Sequence, residues 1–116
     1  MTILETSKDF TKVEVYLMTK DPGVKSVKDV PDYTKMNVEG YISYEDENAK
    51  GEKSELLSVM GEVDGQRQVW CCQSATFKRS FAEMFLLFDG EPFSILKTSG
   101  VSKSGKDYVD CRLAIN

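Results

Sequence analysis

Near the carboxyl end, Tyr108 and Arg112 stand four residues apart in a stretch, Asp107 to Ile115, that alternates apolar and polar. With Val109, Cys111, Leu113 and Ile115 turned inward, Tyr108, Asp110 and Arg112 share the outward face of a strand. The stretch is entered through Gly100 to Lys106 (GVSKSGK), a flexible basic turn carrying Lys103 and Lys106, with Lys97 shortly before it. Aromatic faces and cations on one sheet surface suit a single-stranded polyanion, whose bases stack on the rings while its phosphates meet the cations. Tyr16, Tyr41, Trp70 and Arg67 have side chains fit for the same task. Each also has a plainer reading, the tyrosines as cross-strand packing and the tryptophan as core. The grouping of Tyr108 and Arg112 with the lysine turn favours binding. Tyr16, Tyr41 and Trp70, taken singly, read more readily as packing.

Catalytic chemistry has little to work with. The chain has no histidine and none of the patterns GxxxxGK[ST], GxGxxG or GxSxG, so neither phosphate-cradling loops nor a nucleophile elbow is expected. Cys71, Cys72 and Cys111 form no CxxC pair, which argues against zinc. Three thiols with no framework spacing fit a reducing compartment, and one of the adjacent pair should face the core. No enzyme activity, cofactor or metal is expected.

The net charge of −4 argues against a nucleic-acid partner until its distribution is considered. Residues 39–64 hold eight acids against two bases, residues 1–38 are balanced, and residues 65–116 hold seven bases against five acids. The acidity is therefore concentrated in one segment, and the local field decides phosphate contact. The same segment offers the rival reading, an acidic module that grips a basic protein.

These residues need a scaffold. At 116 residues the chain is read as one domain, without a run of apolar residues long enough to span a membrane and without a signal peptide at its start, so a cytoplasmic location is expected. Residues 1–10 read as a loose arm. Thr11 to Thr19 alternates, with Val13, Val15 and Leu17 on one face, and predicts a half-buried strand. Lys20 to Lys35, with two prolines and a glycine among charges, reads as a long loop. Met36 to Glu45 alternates again, with Gly40 marking a bulge that would curve the strand. Ser54 to Val63 and Arg67 to Gln73 flank Asp64-Gly65, a strong hairpin signal. Ser74 to Phe88 carries Phe77, Phe81, Met84, Phe85 and Phe88 on one helical stripe, stopped by Asp89-Gly90 and Pro92. Two strands follow, Pro92 to Lys97 and Asp107 to Ile115. A mainly β chain with one helix between the third and fourth of five strands has the order of an OB-fold barrel, with the stretch at 11–19 as an extra N-terminal strand that extends the sheet or pairs with a second subunit.

Arrangement and texture together resemble the small single-stranded-DNA-binding proteins of tailed bacteriophages. The resemblance runs from about Val24 to the C-terminus. It rests on Lys25-Ser26-Val27-Lys28-Asp29-Val30-Pro31, Val38-Glu39-Gly40-Tyr41-Ile42, the Asp64-Gly65 hairpin, the helix ending at Phe88, and Ser102-Lys103-Ser104-Gly105-Lys106-Asp107-Tyr108. It implies an OB-fold that coats single-stranded DNA without sequence preference during phage replication and recombination. It also implies a homo-oligomer, with a dimer favoured, and recombinase or replication proteins as possible partners. Many cellular relatives carry an acidic tail with an apolar tip. This chain ends at Leu113-Ala114-Ile115-Asn116, so recruitment through such a tail is not expected.

Overall fold

A computed structural model describes residues 1–115; the end of the chain at Asn116 lies outside them. In chain order the elements are β1 (Thr2–Thr6), α1 (Lys12–Thr19), β2 (Lys25–Ser26) running into a 3-10 turn (Val27–Asp29), β3 (Lys35–Glu47), β4 (Lys53–Val63), β5 (Gln66–Cys72), α2 (Ala75–Phe88), β6 (Ser94–Val101) and β7 (Asp107–Leu113). The seven strands make one sheet in the order β2-β5-β4-β3-β6-β7, with β1 added alongside β3. The fold is mainly β with two α-helices, and the sheet curls into a half-barrel whose end strands, β2 and β7, do not pair with each other. No helix among the described residues is long and apolar enough to cross a membrane.

Local chemistry fixes most of these elements. Asp64 (φ 51°) and Gly65 (φ 79°) are both left-handed, as the tightest hairpin turns require, and join β4 to β5 in continuous register from Val63↔Gln66 to Leu57↔Cys72. At the β3–β4 tip the Asn48 side-chain oxygen accepts from the backbone amides of Lys50 and Glu52. Ser74 caps α2 by accepting from the Phe77 amide at 3.2 Å and donates to the Val109 carbonyl at 3.1 Å, tying the helix start to β7. Asp89, at φ 45°, ends the helix in the left-handed conformation.

The decisive event lies in β3. Its pairing with β4 slips between Val38 and Gly40, so the bulge expected at Gly40 is present. An extra residue reverses which side chains face which side. Met36 and Val38 point into the half-barrel before the bulge, and Tyr41 does so after it, while Ile42 and Tyr44 point to the opposite face. The inner core joins Met36, Leu57, Val59, Trp70, Ile95 and Cys111 to Phe77 and Phe81 of α2. The outer core joins Ile42, Tyr44, Met60 and Val69 to Met18 of α1. β4 and β5 are thus covered on both faces.

Three expectations are corrected. Residues 1–10 are no loose arm, because β1 pairs antiparallel with β3 from Thr2↔Glu45 to Thr6↔Ile42. The stretch 11–19 is a helix rather than a strand. Thr11 accepts from the Glu14 amide at 3.1 Å while the Glu14 carboxylate accepts from the Thr11 amide at 2.9 Å, a reciprocal cap that nucleates the turn. Val13, read as facing the core, is 68% exposed. The loop at 20–35 contains β2, which pairs in parallel with β5, and it sends Val27 and Val30 into the inner core. The phenylalanine stripe of α2 does plug the half-barrel. Phe77 and Phe81 are buried and stacked at 6.4 Å, and Phe88 stacks on Phe93 at 5.0 Å.

Close approach makes Gly61 the tightest joint between β3 and β4. A Cβ there would lie against the Asn37 carbonyl and 2.7 Å from Met36 Sδ. Gly61→Ala is expected to lower stability by about 1–3 kcal/mol, as overpacking does. Urea denaturation followed by circular dichroism measures this, and an unchanged midpoint would show that β3 shifts freely.

Candidate nucleic-acid interface

Because β2 and β7 do not meet, the half-barrel has an open seam, and a cleft of about 1030 Å³ occupies it. One wall is the segment from Val24 to Lys28 with the end of β5, and the other is Lys97 to Val101 of β6 with Asp107 to Val109 of β7. Tyr108 lies at this wall, opposite Gly100 in the β6–β7 register. A Cβ on Gly100 would stand 2.7 Å from Tyr108 Cζ, so the ring rests directly across the glycine backbone. Tyr108 remains 40% exposed. The sheet supports one side of the ring and leaves area open to a flat ligand.

The turn beyond Val101 is built on Ser102. Its amide donates to the Lys106 carbonyl at 2.8 Å, its carbonyl accepts from Gly105, and its hydroxyl accepts from the Lys106 amide at 3.2 Å. This holds Lys103 and Lys106 exposed between two cleft-lining residues, Val101 and Asp107. Arg112 is exposed and shares a strand face with Tyr108, about 13 Å further along at the usual rise per residue. The structure therefore places Tyr108 in the cleft, with Lys103 and Lys106 on the turn beside it and Arg112 further along the same strand face.

The other expected contacts go elsewhere. Trp70 is fully buried in the inner core, with its indole N–H donating to Gln68 Oε1 at 3.1 Å. This is the packing reading that the sequence favoured over stacking, and Val69 and Cys71, on the other face, are covered by α1 and its flanks as well. Tyr41, turned inward by the bulge, meets Phe81 and Phe85 edge-to-face at 5.6 and 4.9 Å. Burial and the Glu5 carboxylate that accepts from its hydroxyl push the phenol up to about 12. Tyr16 is half exposed, but it sits on α1 and does not line the cleft.

Two expected cations are already committed. Arg67 is clamped at 3.0 Å to both Glu14 and Glu39, linking α1 to β3. Lys97 is 4% exposed and ion-paired to Asp32 at 3.0 Å, while Ser99 Oγ donates to the other Asp32 oxygen at 2.6 Å. Asp32 thereby fastens the segment after β2 onto β6, and Lys97 is a structural pin rather than a phosphate contact. Conversely, Lys25 and Lys28, quoted from the sequence only within a stretch that carries the resemblance, were not named there as phosphate contacts. Lys28 lines the cleft, Lys25 lies beside it on β2, and both are exposed without an ion-pair partner among the described residues. The available signal was their spacing around Ser26 and Val27, where a buried valine leaves its flanking lysines outside.

The thiols fit a packing role. Cys72 and Cys111 are buried and Cys71 partly so, and burial raises all three, Cys72 to about 11. Comparison with family models, curated proteins and solved structures finds no match to this chain.

Hydrogen bonds from Ser99 and then Lys97 hold the Asp32 carboxyl below the usual carboxylate range. Its clasp stabilises the fold fully above the unfolded value of about 3.9 and loses that contribution as pH falls through the depressed folded value. Asp32→Asn is therefore expected to destabilise the protein at pH 7 and to do so less at pH 2–3. Urea midpoints of both proteins at the two pH values check this. A mutational cost that is the same at both would refute the clasp.

Proposed function

We propose that this chain is an OB-type barrel that binds single-stranded DNA without sequence preference along its open seam. The five-strand meander β3–β4–β5, α2, β6–β7 has the order of such a barrel, with β1, α1 and β2 as additions. One observation carries the binding reading. The cleft is lined by a tyrosine resting on a glycine and by the exposed Lys28, with exposed Lys25, Lys103 and Lys106 on the segments beside it, and none of these four lysines forms an ion pair among the described residues. Lys20, Lys53 and Arg67, by contrast, are paired with the acids of residues 14 to 46. In this mechanism bases stack on Tyr108, and Lys25, Lys28, Lys103, Lys106 and Arg112 neutralise phosphates. Nothing reads base edges, so sequence preference is weak. The proposed role is protection of exposed strands during phage replication and recombination, with recombinase or replication proteins as partners. A second copy would join along the free outer edge of β1.

A second reading draws on a smaller groove of about 430 Å³ between α2 and the β3–β4 hairpin. Its apolar lining of Tyr41, Leu57, Phe81, Phe85 and Leu86 is flanked by Glu5 and Glu55, and Leu86 is 80% exposed. This suits a partner protein with an apolar anchor and basic flanks.

Fluorescence anisotropy of labelled oligo-dT at about 50 and 300 mM salt separates the readings. Binding is expected to be saturable and to weaken with salt. Replacing Lys28 and Lys106 by alanine should flatten the log–log salt slope by about 1.4, at roughly 0.7 per phosphate contact on single strands. Tyr108→Ala should weaken binding by about 1–3 kcal/mol. Absence of binding at low salt would discard the DNA reading and favour the groove.

A further inference from the structure

The segment from Pro31 to Thr34 is a β-turn closed by the Thr34 amide donating to the Pro31 carbonyl at 3.2 Å, with the Thr34 hydroxyl on the same oxygen at 2.7 Å. Its third residue is Tyr33, at φ 69°. A β-turn with positive φ at that position ordinarily places glycine or asparagine there, because a Cβ crowds the backbone. A bulky aromatic in this conformation is strained, and strain of this kind concentrates at functional positions.

Nothing inside the fold accounts for the choice. Tyr33 is 70% exposed, and among the described residues its ring has no aromatic or cationic neighbour and its hydroxyl makes no hydrogen bond. The turn itself is fixed by other groups. Asp32 grips Lys97 and Ser99, and the Tyr33 amide donates to the Lys97 carbonyl at 2.6 Å. Those backbone and Asp32 contacts would be made equally well with glycine at position 33. Lys97 and Ser99 both line the seam cleft, so the turn fixes the backbone of Tyr33 next to two cleft-lining residues, Tyr33 itself not being one of them.

We infer that Tyr33 is a nucleobase-stacking subsite, a second platform beside Tyr108, retained at the expense of local strain. The inference rests on the single-stranded-DNA reading of the cleft. With its backbone already fixed by the turn and clasp, the residue loses little main-chain freedom when a base settles on its ring, which favours contact with a flexible strand.

Tyr33→Gly and Tyr33→Phe, compared with the wild-type protein on oligo-dT and on an abasic oligonucleotide of equal length, test it. Tyr33→Gly should melt higher, by about 3–6 °C, because it relieves strain. It should also bind oligo-dT about 5- to 100-fold more weakly, the range for loss of one stacked base. Tyr33→Phe should bind like wild type. The preference of the wild-type protein for oligo-dT over the abasic strand should shrink in Tyr33→Gly. Wild-type affinity in Tyr33→Gly, or an undiminished preference for bases, overturns the subsite while leaving the cleft reading in place. If the wild-type protein binds neither strand, the DNA reading itself falls.

Discussion

β3 is paired along both of its edges, and nearly every other feature depends on how it turns. Its first residues hydrogen-bond to β6 and residues nearer its end to β1, while β4 runs beside it from Asn37 to Glu47. A straight strand of 13 residues would present one face to one core throughout. The slip between Val38 and Gly40 lets β3 serve the inner core at Met36 and the outer core at Ile42 and Tyr44. β6 pairs with only the first residues of β3, and neither β6 nor β7 pairs with β5, so the seam lies open between them. On the outer face α1 packs over β4 and β5, and its Met18 carbonyl receives the buried Ser58 hydroxyl at 2.6 Å.

Coverage of that outer face constrains where a ligand can lie. Ile42, Met60 and Val69 are sealed beneath α1, so the broad sheet surface is not a platform for bases. What stays open is the seam, where two strand ends face each other without closing. The strap from Lys25 to Thr34 crosses it from β5 to β6. Val27 and Val30 anchor it in the inner core, and Asp32 pins its far end.

Charge follows the same division. The acids of the β3–β4 hairpin and of α1 take up Lys20, Lys53 and Arg67, at exposed sites where each pair contributes little to stability but fixes orientation. Lys25, Lys28, Lys103 and Lys106 around the seam form no ion pair among the described residues, while Asp107 lines the same cleft.

What was legible in the sequence was whatever depended on neighbours in the chain. Asp64-Gly65 announced its hairpin because two consecutive left-handed residues are a local requirement, and the phenylalanine period announced α2 and the face it buries. The alternation of Tyr108 with Val109 and Cys111 placed that tyrosine correctly on the outward face. The capping box at Thr11 and Glu14 was equally local but was not read from the sequence, where the alternation of Val13, Val15 and Leu17 pointed to a strand. The fates of Tyr41, Trp70, Arg67 and Lys97 were decided by tertiary structure alone. A bulge changes facing without changing composition, a second covering layer buries a face that alternation leaves outside, and a lysine's availability depends on an acid 65 residues away in the chain. Period and turn chemistry are short-range and were set by the sequence. Which cations and rings remain free is a sum over long-range contacts, and only the folded chain performs that sum.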